Sequence, residues 1–526
     1  MNTTNLTLFF IIILSGSLIF LSCHQSQHPQ KGVFNIIDFG AIGDGMTLNT
    51  RAIQQAINSA ESAGGGRVII PPGIYKSGTI FLKNNIILDV QPGATILGSE
   101  NINDYTEMTW GHNRDRQPYH LIMAKDVQNI TISGGGTIDG NGPAFWQPHN
   151  PKDDPQWIMP KAKKISPLME IQNCQNVRIQ DVLLKTGGGW TLHLYDSDLI
   201  HVNRVQILNH LFSPNGDGID ITGCFDVTIS DCIIKTCDDA ICLKTTGDSR
   251  ECKRVTVTNC IIECSCAALK LGNESFRDIS QVTLSNCTIF NSSRAFAIYA
   301  ESAGTIEDIA VSNIVCDTRS PLIYNRPIHI SLRKRFSENG LLYDSQIINS
   351  DKIFDPAGRE PQLRNIMISN FIAKTEGRIL ITAAPGQMIE NLTLRDIHLT
   401  YPFIEDPVPY IDRAKSSQFS PQNPAAKQAR AAVVVENVKN FVLENLNITW
   451  PMSSAVPKDW QFPKRIANGT IDSFYPDYFK ARQTEFSAVW ARNIQGGYIH
   501  SPLAKASNTT HATFDIQNSS LPIIRY

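Results

Sequence analysis

The chain has almost no excess charge of either sign: 47 basic residues face 49 acidic ones over 526 positions, for a formal net charge of −2. That balance excludes the strongly basic footprint of a nucleic-acid binder. It also means that any pull on an acidic substrate comes from individually placed cations, not from the field of the whole protein. No convincing transmembrane run is present. The one apolar stretch at the start, Leu6 to Leu21, is broken by Thr7 and by Ser15-Gly16-Ser17, and a span needs about 20 apolar residues. Metal-ligand spacing is missing among the 12 cysteines. Helical periodicity is also scarce, and is convincing only from Thr50 to Ala63, between Asp44-Gly45 and Gly64-Gly65-Gly66.

What is present begins with an export signal. Phe20-Leu21-Ser22-Cys23 resembles a bacterial lipobox, in which the Cys takes lipid and becomes the first residue of the mature protein. Residues 1–23 therefore read as a lipoprotein-type signal peptide, with Cys23 as lipid anchor and 24–32 as a polar tether. Residues 33–526 read as one domain, of which 33–100 hold an N-terminal cap and the first coils. The expected location is the periplasm or the outer membrane, with no membrane contact beyond the anchor and with a monomeric chain.

A repeat dominates the rest. Val177-Arg-Ile-Gln-Asp-Val-Leu-Leu184, Val227-Thr-Ile-Ser-Asp-Cys-Ile-Ile234, Val255-Thr-Val-Thr-Asn-Cys-Ile-Ile262 and Val282-Thr-Leu-Ser-Asn-Cys-Thr-Ile289 share one pattern. Ile309 to Cys316, Ile366 to Ala373, Leu392 to Leu399 and Phe441 to Ile448 continue it. Adjoining copies recur roughly every 23–28 residues, a solenoid period. Each copy alternates apolar and polar residues, as a half-buried strand does, up to an Asn or Asp that suits a bend. A stack of such bends is expected to form a ladder in which each side chain satisfies its neighbour's backbone. The fold class implied is all-β, a parallel β-helix whose open N-terminal end is capped by the Thr50–Ala63 helix. A β-sandwich would need antiparallel hairpins and would not keep this register. Cys232, Cys260 and Cys287 occupy one place in successive repeats and read as a buried stack. Cys237, Cys242, Cys264 and Cys266 leave room for disulfides. The gaps at 317–365 and 401–430 are expected to hold further coils and long loops, the usual places for substrate walls.

Three successive strands carry the chemistry. They are Asn215-Gly216-Asp217-Gly218-Ile219-Asp220, Cys237-Asp238-Asp239-Ala240-Ile241-Cys242-Leu243-Lys244 and Cys266-Ala267-Ala268-Leu269-Lys270-Leu271-Gly272. Aligning the inward Ile219, Ile241 and Leu269 places Asp217 beside Asp239, with Ala267 next. Asp220, Cys242 and Lys270 then form a second column, facing outward. Neighbouring strands lie about 4.8 Å apart, so Asp217, Asp238 and Asp239 converge on one patch. Clustered carboxylates repel, so at least one should hold a proton. Glycoside hydrolysis needs that division: one protonated acid for the leaving oxygen and one carboxylate to activate water.

On these residues the chain resembles glycoside hydrolase family 28, the polygalacturonases and rhamnogalacturonan hydrolases. Asp38-Phe-Gly-Ala-Ile-Gly-Asp-Gly45, Gly64-Gly-Gly-Arg-Val-Ile-Ile-Pro-Pro-Gly-Ile-Tyr75, Ile138-Asp-Gly-Asn-Gly142, Ser213-Pro-Asn-Gly-Asp-Gly218 and Asp238-Asp239 carry the likeness. The resemblance implies a right-handed, pectin-lyase-like β-helix and an inverting hydrolase of pectic polysaccharide that uses no metal and no cofactor. By position Asp238 would be the general acid, while Asp217 and Asp239 would hold and deprotonate the attacking water. Three departures stand out. Cys266-Ala267-Ala268 replaces the family's Gly-His-Gly, Ala297-Ile298-Tyr299 falls where Arg-Ile-Lys is expected, and Asn215-Gly216-Asp217 replaces Asn-Thr-Asp. A rhamnogalacturonan-like or decorated substrate gains weight accordingly.

Other cations are candidates to replace those lost. Lys270 and Lys244 lie beside the acids, Arg294 begins the next strand, and His329 and Arg333 alternate outward on Ile328-His-Ile-Ser-Leu-Arg333. Long outward cations are usually solvated, so the nearby carboxylates are what single out Lys270, either to lower an acid's pKa or to bind an anionic sugar. Trp190, Trp146, Trp157 and Tyr119 are candidates for the cleft wall, where aromatic rings stack on sugars. Two other readings stay open: a polysaccharide lyase on the same fold, and a carbohydrate-binding β-helix without catalysis.

Overall fold

The computed structural model describes residues 32–109, 116–148, 158–319, 325–333, 359–404, 423–453, 457–460 and 485–524. The leader, its Cys23 anchor, the tether before Gly32, and Trp157 lie outside these residues. From Gly32 onward the chain forms one compact unit.

The earlier coils are built from three short strands, two of which merge into one in later coils such as that of Ile279–Phe290. A representative one runs Met169–Gln172 (β1), then Gln175–Gln180, then Leu183–Lys185. Each strand pairs in parallel with its counterpart one coil later. The result is a right-handed parallel β-helix. One inward ladder shows why the sequence winds this way. Val177, Ile200, Val227, Val255, Val282, Ile309, Ile366, Leu392 and Phe441 stand in register on successive strands, all buried. Burying each such side chain stabilises the fold by about 1.5–3 kcal/mol, and a one-residue slip would turn the whole set outward.

The bends follow the repeat. Asp181, Asp231, Asn259, Asn286, Asn313, Asn370, Asp396 and Asn445 all have φ between 50° and 57°, the left-handed region that short polar side chains tolerate. Their ladder is not the side chain-to-backbone one expected from sequence. Asn313 Nδ2 donates to Asn286 Oδ1 at 2.9 Å, and Asn370 Nδ2 donates to Asn313 Oδ1 at 3.1 Å. Strand spacing brings each amide against the next, so side chain satisfies side chain. A second ladder that the repeat did not reveal runs through Asp308, Asn365, Asn391 and Asn440, with each Nδ2–Oδ1 contact at 2.9 Å.

Helix α1 (Thr50–Ser62) packs Ala52, Ile53, Ala56, Ile57 and Ala60 against the first coil, as a cap does. Cys232, Cys260 and Cys287 are buried, and their thiols donate to the carbonyls of Ser230, Thr258 and Ser285 at 3.3, 3.3 and 3.2 Å. No disulfide forms where the sequence left room for one. Cys237, Cys242, Cys264 and Cys266 are free thiols, and the first three donate to the carbonyls of Ser213, Gly272 and Asp238 at 2.7, 3.1 and 3.0 Å.

One sheet carries the site. After β1 it continues through β2 (Leu192–Tyr195), β3 (Ile219–Thr222), β4 (Ile241–Thr245), β5 (Ala267–Ser275), β6 (Arg294–Ala300), β7 (Arg326–Leu332), β8 (Ile379–Ala383) and β9 (Ala431–Thr449). β7 occupies the first gap in the repeat. In the second, a short helix α2 (Pro424–Gln428) sets Ala426 and Ala429 against Leu380, Val434 and Trp490.

Candidate active site

The strand register places the acids as their spacing implied. Ile219, Ile241 and Leu269 pair in sequence across β3, β4 and β5. Asp217 and Asp239 therefore sit at the same height just before their strands, on the two coils that follow Trp190. Asp220, Cys242, Lys270, Ala297 and His329 form the second column, extended backward by His193 and Glu170. Close backbone approach forces glycine at position 218, where an added Cβ would lie 2.4 Å from the Ala240 carbonyl oxygen.

The second column points away from the helix core, yet it does not face open solvent. Lys244 is 5% exposed, Lys270 8% and Arg294 1%. Solvated outward cations were the ordinary expectation. Here each cation lies against a side chain of the preceding coil.

Lys270 Nζ is in direct contact with Asp239 Oδ2. Lys244 Nζ lies 2.9 Å from Asp220 Oδ1, 4.0 Å from Asp217 Oδ2 and 4.0 Å from the centre of the Trp190 ring. Arg294 donates to the Cys266 thiol, and that thiol contacts the Asp238 carboxyl. Asp238 Oδ1 accepts from the Asp239 amide at 2.9 Å, and Asp239 Oδ1 accepts from the Ala267 amide at 3.2 Å. Asp217 Oδ1 is buried without a partner in the protein.

Charge is divided unevenly over these groups. Burial raises all the acids, but at Asp239 the Lys270 and Arg294 cations outweigh it and hold the carboxyl below the usual range. Asp238 is pushed up to about 6 by burial and by the Asp239 charge, with Lys270 opposing. Asp217 goes well above the usual range through burial and the Asp238 and Asp220 charges, with Lys244 opposing. The cluster thus contains an ionised carboxylate beside carboxyls that hold their protons to higher pH than usual. The ligand atoms of Asp238, Asp239 and Cys266 fall within 4.8 Å of one another. Lys270 and Arg294 already supply positive charge there.

The remaining candidates lie farther out. His329 Nδ1 is 2.8 Å from Tyr299 Oη, whose ring centre is 5.8 Å from Lys270 Nζ. Burial and the Arg326 and Arg294 cations keep His329 neutral. Arg333 pairs with Glu301 at 2.9 Å. Trp190 is 7% exposed with Lys244 over one ring face, and Trp146 packs with Ile158 and Phe212. Tyr299, Arg326 and Cys266 were not singled out as site residues from sequence. Cys266 and Tyr299 fall within the motif departures, and Arg326 stands in register with Arg294.

Residues 81–328 match the model for the glycosyl hydrolases family 28. A probable polygalacturonase of Vitis vinifera is 30% identical over 226 residues, 41% of this chain and 44% of that protein. An exo-poly-alpha-D-galacturonosidase of Dickeya chrysanthemi is 29% identical over 252 residues, 40% of this chain and 41% of its own. The chain thus spans less than half the length of these relatives. Among solved structures, an exopolygalacturonase from Thermotoga maritima superposes with a TM-score of 0.60 at 20% identity, covering 80% of this chain and 92% of that one. A family 28 exopolygalacturonase of Yersinia enterocolitica gives 0.61 at 19% identity, covering 88% and 78%. At such identities the likeness establishes the fold. The stretch 81–328 that matches the family 28 model contains every acid and lysine of the cluster.

Proposed function

We propose that this protein is a glycosidase that hydrolyses pectic polysaccharide of galacturonan or rhamnogalacturonan type by an inverting, metal-independent mechanism. The observation that carries the reading is the split within the acid cluster: Asp239 pinned as a carboxylate by Lys270, next to Asp238 poised at about 6. Asp238 protonates the leaving glycosidic oxygen, Asp239 takes a proton from the attacking water, and Asp217 holds that water. Lys270 and Arg294 supply the cationic charge that a metal would otherwise provide.

Attack from a chain end fits best. Acids stacked along the helix axis imply a sugar chain running across the strands. Toward the C-terminus the outward positions Ala297, His329, Leu380, Val434 and Trp490 are all buried. There α2 closes the face over Leu380, about three strand spacings, or roughly 14 Å, beyond Lys270. The relative from Dickeya chrysanthemi bears an exo-acting name.

The deciding experiment incubates the protein with homogalacturonan, rhamnogalacturonan and decorated pectins, and follows reducing ends, anomeric configuration and ultraviolet absorbance. Hydrolysis is expected to release reducing ends of inverted configuration, unaffected by chelator. Unsaturated, absorbing ends would identify a lyase, and no products at all would leave only carbohydrate binding. Export with lipidation at Cys23 is part of the same proposal: labelled palmitate should enter the wild type and not Cys23→Ser.

A further inference from the structure

Four carboxyl groups crowd this site, but only two have a cation in contact. Lys270 holds Asp239, and Lys244 holds Asp220. Asp220 is fully buried and stands in register with His193. It is not placed to meet a sugar. Its lysine is another matter. With Nζ 2.9 Å from Asp220 and 4.0 Å from the Trp190 ring centre, the ammonium is fixed from two sides, and its third neighbour is Asp217 Oδ2 at 4.0 Å.

That geometry is more specific than a structural ion pair requires. A buried pair contributes little net stability over an apolar pair of like volume, so stability alone gives weak reason to keep it. A cation placed about 4 Å from a buried carboxyl, however, strongly favours that carboxyl's charged form. The other groups facing Asp217 are Asp238 and Asp239 on the following coil and Asp220 on its own strand, all of which oppose ionisation. Lys244 itself faces Asp220, Asp217, Cys242, Glu274 and Lys270, and the carboxylates keep it protonated despite burial. His193, next to Asp220, is held by Glu170 at 3.0 Å and by Thr222 at 2.9 Å.

We propose that Lys244, braced by Asp220 and the Trp190 ring, is a positioning residue that sets the charge on Asp217. In the hydrolase reading, on which this inference rests for its role in catalysis, Asp217 holds the water. Whether it accepts or donates a hydrogen bond there depends on that charge. Lys244 keeps the accepting form within reach while Asp238 and Asp239 act as acid and base.

The test is built to survive a folding defect and an unrecognised substrate. Lys244→Met leaves Asp220 buried and uncompensated, so the informative variant is the double Asp220→Asn/Lys244→Met, with Lys244→Arg as the charge-conserving control. In protein carrying 13C at the aspartate side-chain carboxyl, the Asp217 signal is assigned by its loss in Asp217→Asn, then titrated. The expected result is a midpoint higher by roughly one pH unit or more in the double variant than in Asp220→Asn alone, which already lacks the opposing Asp220 charge, and near wild type in Lys244→Arg. A midpoint in the folded double variant no higher than in Asp220→Asn would overturn the proposal, whatever the substrate. On the substrate identified for the wild type, kcat/KM should change across the Asp217 midpoint, above the acidic limb set by Asp239, and that change should move with the midpoint. A uniform loss of rate with no such displacement would show the pair to be structural only. A wild type inactive on every pectin would sink the hydrolase reading, yet leave the titration able to decide this one.

Discussion

At the scale of single residues, the acid pair makes the sharpest claims. Asp238→Asn keeps the shape of the side chain and removes its transferable proton, so turnover should fall about 10²–10⁴-fold while oligosaccharide binding, measured by calorimetry, persists. The pH dependence has a definite sign. The acid role needs Asp238 protonated, so activity should decline as pH rises through about 6. The base role needs Asp239 ionised, so the other limb lies below the ordinary carboxylate range. Lys270→Gln removes the cation that lowers both groups. The whole profile should therefore move to higher pH by roughly one unit or more, and an unmoved profile would refute the assignment of Lys270 to Asp239. These groups were legible in the chain because register alone aligns Asp217 with Asp239 and Asp220 with Lys270. The link from Lys270 through Tyr299 to His329 was not, since it depends on where two rings point.

At the scale of elements, the bends are where sequence and structure agree most closely. Asn313 has φ 55° and joins Asn286 below to Asn370 above. Asn313→Ala forfeits both side-chain contacts and places a β-carbon in left-handed backbone, so it should cost about 1–2 kcal/mol. Urea unfolding would measure that loss, and activity per folded molecule should stay constant because the ladder lies away from the acids. The strands themselves were readable from their period-two alternation. The partners of the bend residues were not, because alternation says nothing about whether an amide meets backbone or another amide.

At the scale of the whole molecule, the proposed function makes α2 the element that limits how a sugar chain can lie. Arg378 ties this short helix down by donating to the carbonyls of Lys427 and Ala429. If α2 closes the cleft, the first products should be short and uniform, and Arg378→Ala should broaden their length distribution. A wild type that releases a wide spread of lengths from the outset would remove α2 from the account. The chain's own pattern of Val, Ile, Asn and Asp determined the β-helix, its capping helix and the alignment of the acids, because periodicity and register are set by neighbours one coil apart. Only the tertiary structure decided that Lys244, Lys270 and Arg294 are buried and partnered instead of solvated. Their partners Asp220, Asp239 and Cys266 stand on the preceding coil, and no local pattern encodes which way two side chains turn to meet across the strands.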